Sequence, residues 1–338
     1  MTEAKDIWYS RLKKIIRKYG IDTNSTREIT IPSLQPSTHV YEVTNPYLRT
    51  HSTHIIETEA ANRIISSPSL VGWQLSEKCF EAAREAVAAI HHLTDIDEFL
   101  PDRTVYCAFD RAGPYYGIHT VLGMIEGLEV RTVSERPRYT TKSYINHLKK
   151  IVEIKHGTTN FRQLPRNKDL HAIIEDTGAS GKTFLAGVPE LVMQCKKAGS
   201  RIGEMTVYGF QSSRAMRVLR NLERELDLKI NTFPMVGIMG ISENMYDMPL
   251  YGFNKRGHRS TVHQETLLRI LQEYKYSPLV DIDVVGDWSA KFINIPTHLT
   301  NTIERLETRM KVEKFERWQV ELALQELRRL RTALLRFE

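Results

Sequence analysis

Residues 170–183 read Leu-His-Ala-Ile-Ile-Glu-Asp-Thr-Gly-Ala-Ser-Gly-Lys-Thr, and the predicted architecture is built outward from them. The apolar run 170–174 predicts a buried strand that ends in two neighbouring carboxylates, Glu175 and Asp176. Small and hydroxyl residues follow as a loop, and a helical pattern begins at Lys182. Backbone N–H groups of such a loop, together with the positive end of the helix, can bind an anion.

The sequence on both sides continues the alternation of strands and helices. Apolar runs typical of strands lie at 103–109, 128–134, 170–174, 201–210 and 228–233. Helical patterns lie between them at 114–127, 182–199 and 213–227. Alternation of this kind predicts an α/β fold with a mostly parallel sheet and helices on both faces. Right-handed crossovers then place the carboxyl ends of the strands at one edge, where such sheets bind ligands.

We expect three parts in the chain. Residues 1–95 are predicted to form a helical and irregular extension, in which 21–50 is rich in Thr, Ser, Pro and Asn. Residues 96–296 are predicted to form the α/β domain. Residues 297–338 are predicted to form a C-terminal amphipathic helix, a candidate contact for a homo-oligomer or a protein partner.

Composition excludes several classes of protein. The chain of 338 residues has three cysteines and no Cys-x-x-Cys, so we expect neither a disulfide scaffold nor a structural zinc site. We expect the protein to lie in a reducing cytoplasm. The amino terminus lacks the apolar core of a signal peptide, and no apolar stretch of about 18 residues is present, so we expect no membrane contact. A net charge of +6 and a pI of about 9.1 favour anionic partners, either phosphorylated small molecules or nucleic acid.

Other phosphate-binding motifs fit the stretch less well. A P-loop requires G-x-x-x-x-G-K-[ST], and Gly181-Lys182-Thr183 matches its end, but Asp176 stands where the first glycine belongs. A dinucleotide-binding G-x-G-x-x-G is absent here. An ordinary strand–loop–helix turn with a capped helix start is the alternative that stays open.

Residues 175–183 resemble the phosphoribosyl pyrophosphate motif of type I phosphoribosyltransferases, most of all its hypoxanthine-guanine branch. The resemblance implies that Glu175 and Asp176 bind the ribose hydroxyls. It assigns the 5′-phosphate to the loop of Thr177, Gly178, Ala179, Ser180, Gly181, Lys182 and Thr183. Ala179 departs from that branch, which has an aspartate there, so a purine-type general base is not supported.

Two further segments are similar to parts of the same family. Asp110-Arg111-Ala112-Gly113 follows a predicted strand, as the family's pyrophosphate loop does. Lys155, within the basic segment 135–168, stands in a Lys-His-Gly sequence similar to the mobile loop of the orotate branch. A plain turn and a solvated surface insertion are the respective alternatives.

The resemblance implies a phosphoribosyltransferase of nucleotide metabolism that takes phosphoribosyl pyrophosphate and an unidentified acceptor. Arg111, Glu175 and Asp176 would be its catalytic residues, and the two carboxylates would hold Mg²⁺ indirectly, through the ligand or water. The acceptor would bind under a hood formed by residues 21–60 or 235–296.

The alternative function is a module that binds a nucleotide, phosphoribosyl pyrophosphate or nucleic acid within a larger assembly, without catalysis. The basic amino-terminal helix 1–19 and the basic patch 254–259 keep a nucleic-acid partner open.

Overall fold

The fold is seen in a computed structural model, which describes residues 2–67, 69–99, 102–109, 113–126, 131–135, 137–138, 155–156, 160–242, 245, 248–250, 257–273, 288–312 and 317–334. The strands in these ranges are β1 (Thr26–Ile29), β2 (His39–Val43), β3 (Ser52–Glu57), β4 (Thr104–Phe109), β5 (Arg131–Glu135), β6 (Pro137–Arg138), β7 (Lys155–His156), β8 (Asp169–Glu175), β9 (Arg201–Ser212) and β10 (Ile230–Met239). The helices are α1 (Thr2–Tyr19), α2 (Glu59–Ser66), α3 (Gly72–Leu93), α4 (Ile96–Phe99), α5 (Ile118–Glu126), α6 (Lys182–Lys197), α7 (Ser213–Leu226), α8 (Gln264–Glu273), α9 (Trp288–Ile293), α10 (Ile295–Val312) and α11 (Arg317–Leu334).

Eight strands form one mostly parallel sheet in the order β1-β2-β3-β10-β9-β8-β4-β5. Every pair from β3 to β5 is parallel, and only the pairs β1–β2 and β2–β3 are antiparallel. The carboxyl ends of the six parallel strands therefore lie along one edge of the sheet. The predicted fold class is confirmed.

The two faces of the sheet are buried under different helices. In β4, Tyr106 and Ala108 point to the face covered by α3 and α5, whereas Val105 and Cys107 point to the face covered by α6 and α7. The alternation follows from the pleat of a strand, in which successive side chains point to opposite sides. Because both faces are covered, the central strands are buried along most of their length, including polar residues such as Thr206 and Thr232.

The strands and helices predicted between residues 103 and 233 are present, with bounds shifted by a few residues. The amino-terminal part is more regular than its composition indicates. Residues 21–50, which the sequence predicts as extended or irregular chain, contain the short strands β1 and β2, and β3 follows them. Since β3 pairs with β10, this part of the chain extends the main sheet. The boundaries of the three predicted domains stay predictions.

The carboxyl-terminal segment contains two helices rather than one. α10 and α11 pack against each other around a small apolar core that includes Leu299, Ile303, Leu324 and Leu327. None of the helices in the described ranges is long and apolar enough to cross a bilayer.

A buried ion pair ties the carboxyl end of β3 to α8. Glu57 accepts hydrogen bonds from Arg269 Nε at 2.9 Å, Thr266 Oγ1 at 2.6 Å, Asn62 Nδ2 at 2.8 Å and Tyr41 Oη at 3.1 Å. Burial raises the pKa of Glu57, but the hydrogen bonds and charge of Arg269 outweigh it and leave the pKa below its usual value. The ionised Glu57 therefore stabilises the folded state fully at pH values above the pKa that this carboxyl has in the unfolded chain. This stabilisation is lost as the pH falls through the pKa of the folded state.

We predict that Glu57→Gln lowers the free energy of unfolding by about 3 kcal/mol at pH 7, because it leaves the partly buried Arg269 guanidinium without its carboxylate. Urea unfolding at pH 7 and pH 4 checks this, and the gap between variant and parent should narrow at the lower pH. The control is Glu42→Gln, which breaks a surface pair with Arg27 and should cost less than about 1 kcal/mol. Equal losses in the two variants would contradict the assignment.

Candidate functional site

The loop between β8 and α6 continues alongside β9 beyond the end of its strand. The N–H of Asp176 donates to the carbonyl of Tyr208 at 3.1 Å, and that of Gly178 donates to Phe210 at 2.9 Å. The N–H of Ser212 returns a bond to the carbonyl of Gly178 at 2.8 Å. These backbone hydrogen bonds hold residues 176–178 against β9 at the carboxyl edge of the sheet.

Two glycines permit this close approach. A Cβ on Gly209, whose φ is +132°, would lie 2.4 Å from the carbonyl oxygen of Asp176. A Cβ on Gly178 would lie 1.9 Å from Oε1 of Gln211, whose Nε2 donates to the same carbonyl of Asp176 at 2.8 Å. Only residues without a side chain fit at both positions.

The first turn of α6 has no side-chain cap from the described residues. Its N-cap is Gly181, with φ of +75°, whereas the N-cap of α7, Ser212, accepts from the N–H groups of Arg214 and Ala215. Unpaired N–H groups at a helix start are satisfied by water or by an anion. The loop therefore offers backbone donors at the sheet edge.

Two cations stand beside these donors. Lys182 is the first residue of α6, and partial burial together with the charge of Arg214 lowers its pKa. Arg214 lies in the first turn of α7, and its Nε is buried without a hydrogen-bond partner in the described part of the chain. Positive charge at a helix start opposes the helix dipole, so both side chains lie where a bound anion would stabilise them.

Glu175 is engaged in a different way from its predicted role. Its side chain is 0% exposed, and Oε1 accepts from the N–H of His119 at 2.9 Å while Oε2 accepts from the N–H of Ile118 at 3.2 Å. His119 Nδ1 lies 2.7 Å from the same Oε1, and the Thr120 hydroxyl, 3.2 Å from Nε2, can hold the proton on Nδ1. Glu175 thereby caps the start of α5, and a contact with ribose hydroxyls stays a prediction that would require these bonds to exchange.

A tyrosine that the sequence did not single out links the two loops. Tyr116 is buried, and its hydroxyl oxygen lies 2.6 Å from Thr177 Oγ1 and accepts from the N–H of Phe210 at 3.2 Å. Burial raises the pKa of Tyr116 well above its usual value, so its hydroxyl stays protonated. The sequence indicates a role for Tyr116 only through its position, just after the residues predicted as a pyrophosphate loop.

The predicted pyrophosphate loop is described only at its end. Asp110, Arg111 and Ala112 lie outside the described residues, whereas a Cβ on Gly113 would lie 2.3 Å from the carbonyl oxygen of Glu175. Gly113 thus lies against the end of β8, and its role in binding pyrophosphate stays a prediction.

Of the segment 135–168, Lys155 pairs with Arg138 in the two-stranded sheet of β6 and β7. Arg136 and residues 139–154 lie outside the described part of the chain. The remaining predicted loop residues, Ala179, Ser180 and Thr183, all lie between Gly178 and the first turn of α6.

The described residues contain no group of three or more His, Cys, Asp or Glu side chains that could hold a metal ion. Both oxygens of Glu175 accept from N–H groups, and the neighbouring Asp176 is 4% exposed. These residues do not themselves form a magnesium site. Mg²⁺ would depend on the oxygens of a bound ligand, and it stays a prediction.

We predict that Gly178→Ala lowers the free energy of unfolding by about 1–3 kcal/mol, because the added methyl group overlaps Gln211, Phe184 and Ala215. Thermal or urea unfolding measures the loss. The control is Gly203→Ala, also next to a strand neighbour, where the nearest atom would be at 3.4 Å, an ordinary contact. A Gly178→Ala protein as stable as this control would show that the loop does not lie against β9.

No family model matches the chain, and no curated protein matches it. Solved structures with some similarity include the AQ2163 protein from Aquifex aeolicus, at 12% identity and a TM-score of 0.39 over 61% of this chain and 90% of that one. Adenine phosphoribosyltransferase from Trypanosoma brucei, in complex with AMP, pyrophosphate and ribose-5-phosphate, has 13% identity and a TM-score of 0.35 over 57% and 86%. Adenine phosphoribosyltransferase from Leishmania tarentolae has 15% identity and a TM-score of 0.32 over 47% and 71%. Overlaps of this size carry no conclusion about the activity of this chain.

Proposed function

We propose that the chain binds phosphoribosyl pyrophosphate at residues 176–183 and transfers its ribose 5-phosphate to an acceptor, with release of pyrophosphate. The observation that carries the proposal is the uncapped start of α6 between the Lys182 and Arg214 side chains, next to a loop held on β9. A role in nucleotide metabolism in the cytoplasm belongs to the same proposal.

The 5′-phosphate would be the group bound at the helix start. Backbone N–H groups of the first turn, the hydroxyls of Ser180 and Thr183, and two cations together match the three acceptor oxygens and the charge of a phosphate. Ser180 is buried, so its hydroxyl loses little conformational freedom when a ligand binds.

Transfer would break the bond between ribose C1 and the pyrophosphate oxygen and form a bond from C1 to the acceptor. The transition state carries oxocarbenium-like positive charge on the sugar, so positioning and charge neutralisation would supply most of the acceleration. Asp176 would contact the ribose hydroxyls, whereas Glu175 caps α5. Arg111 would neutralise the charge of the leaving pyrophosphate. Mg²⁺ would bind mainly to the oxygens of the pyrophosphate itself.

A second candidate function is a module that binds the same ligand, or a nucleotide, without catalysis. The observation that favours it is the engagement of both Glu175 oxygens at the start of α5, which occupies one of the two predicted carboxylates. Binding through the phosphate would be preserved, because it depends on the loop and the helix start rather than on the acidic pair.

We predict that Lys182→Ala weakens binding of phosphoribosyl pyrophosphate by about tenfold or more, the effect of losing one hydrogen bond to a charged group. Isothermal titration calorimetry of the full chain with Mg²⁺ present measures the affinity. The control is Lys78→Ala, which removes a lysine of α3 paired with Glu81 and should leave the affinity unchanged.

Measuring pyrophosphate release with a panel of bases, nucleotides and oligonucleotides as acceptors separates the two functions. Release that disappears in Asp176→Asn supports the enzyme. Tight binding without release under every acceptor identifies the module instead, and a protein that neither binds nor releases contradicts the proposal as a whole.

A further inference from the structure

Helices α6 and α7 carry an excess of positive charge. Together they contain seven Lys and Arg residues and three Glu residues, whereas the whole chain has a net charge of only +6. The two helices pack side by side on the same face of the sheet. Because each connects one parallel strand to the next, they run in the same direction.

The arginines of α7 form a stripe. Arg214, Arg217, Arg220 and Arg224 are spaced by three, three and four residues, so they share one face of the helix over about 15 Å. The opposite face of α7 is apolar and buried against the sheet, as Met216, Leu219 and Leu222 show, which leaves the stripe on the outside.

Arg217 Nη2 donates a hydrogen bond to the carbonyl of Gly257 at 2.8 Å, but this contact does not neutralise the charge of Arg217. None of the four arginines of the stripe forms an ion pair with a described residue, whereas Arg27, Arg63 and Arg201, exposed elsewhere, pair with Glu42, Glu59 and Asp169. Glu223 on α7 is occupied with the N–H groups of His51 at 2.6 Å and Ile230 at 3.0 Å.

A basic groove lies at the other end of the same layer. Its volume is about 640 Å³, and its lining includes Arg162, Arg166, Lys196 and Lys197 but no carboxylate. Phe161 also lines it and offers an aromatic surface. Lys196 and Lys197 stand in the last turn of α6, level with the carboxyl end of α7, so the groove lies at the Arg224 end of the layer.

Helix stability explains only part of this charge. Lys196 and Lys197 complement the dipole of α6 at its carboxyl end. Arg214, in the first turn of α7, stands where a cation is unfavourable, and Arg217 and Arg220 lie too far from the carboxyl end to gain from the dipole. The dipole of α7 therefore does not account for these three arginines.

We infer that the arginine stripe of α7, together with the basic groove at the carboxyl end of α6, is a docking surface for the phosphate backbone of a nucleic acid. A stripe of about 15 Å that leads towards a separate basic groove matches an extended chain of phosphates better than a small molecule, which would contact only part of it. The inference does not depend on the proposed function, since Arg217, Arg220 and Arg224 take no part in the site at 176–183 and only Arg214 is common to both surfaces.

The test is binding of fluorescently labelled 20-nucleotide single-stranded RNA, single-stranded DNA and duplex DNA to the full chain, followed by anisotropy at 50–200 mM NaCl. The variant is Arg217→Gln with Arg220→Gln and Arg224→Gln. Its matched control is Arg27→Gln with Arg49→Gln and Arg63→Gln, which removes the same number of charges from exposed, paired arginines. Thermal unfolding shows whether both variants are folded.

We expect the parent to bind and the α7 variant to lose at least about tenfold in affinity at 50 mM salt. The slope of log affinity against log salt should become shallower by about 2 for single strands and about 3 for duplex DNA, since three phosphate contacts are lost. The control should bind within twofold of the parent. The inference is overturned by absent binding, by equal loss in the control, or by binding to vesicles containing phosphatidylserine without binding to any oligonucleotide.

Discussion

The carboxylate of Glu175 is the contact on which the rest of the site depends. It stands fully buried at the end of β8 and accepts the N–H groups of Ile118 and His119, so the start of α5 is bound to the neighbouring strand. The turn that leads into α5 is thereby held against β8, with Gly113 in backbone contact. Tyr116, positioned by the same turn, reaches Thr177. A substitution at Glu175 would therefore disturb both loops at once, whichever ligand they bind.

Two cations at the carboxyl edge of the sheet lower the stability of the protein when no anion is bound there. Lys182 and Arg214 lie at the starts of α6 and α7, where each cation is unfavourable by roughly 0.3–1 kcal/mol relative to the opposite end of the helix. Partial burial adds to this cost, as the lowered pKa of Lys182 shows. Strain of this kind is common at binding sites, because a ligand of opposite charge relieves it.

The strands and helices around residues 170–227 could be predicted because their signals are local. Buried parallel strands read as continuous apolar runs, and α6 and α7 repeat their apolar residues at helical spacing. β1 and β2 were missed because they are short, partly exposed and set among Thr, Ser and Pro residues that also suit loops. The roles of Glu175 and Tyr116 could not be predicted, since each depends on a contact across more than 50 residues that only the packed sheet creates.

The loop 176–183 and the arginine stripe of α7 are neighbouring surfaces that share Arg214. Its guanidinium contributes to the potential at the start of α6 and begins the stripe along α7. A polyanion on the stripe would lower the positive potential at the loop, and a phosphate in the loop would weaken the attraction of the stripe. Coupling between two sites is reciprocal, so each ligand would reduce the affinity for the other by the same factor. The sign of that coupling follows from charge alone: if both surfaces are used, binding at one opposes binding at the other.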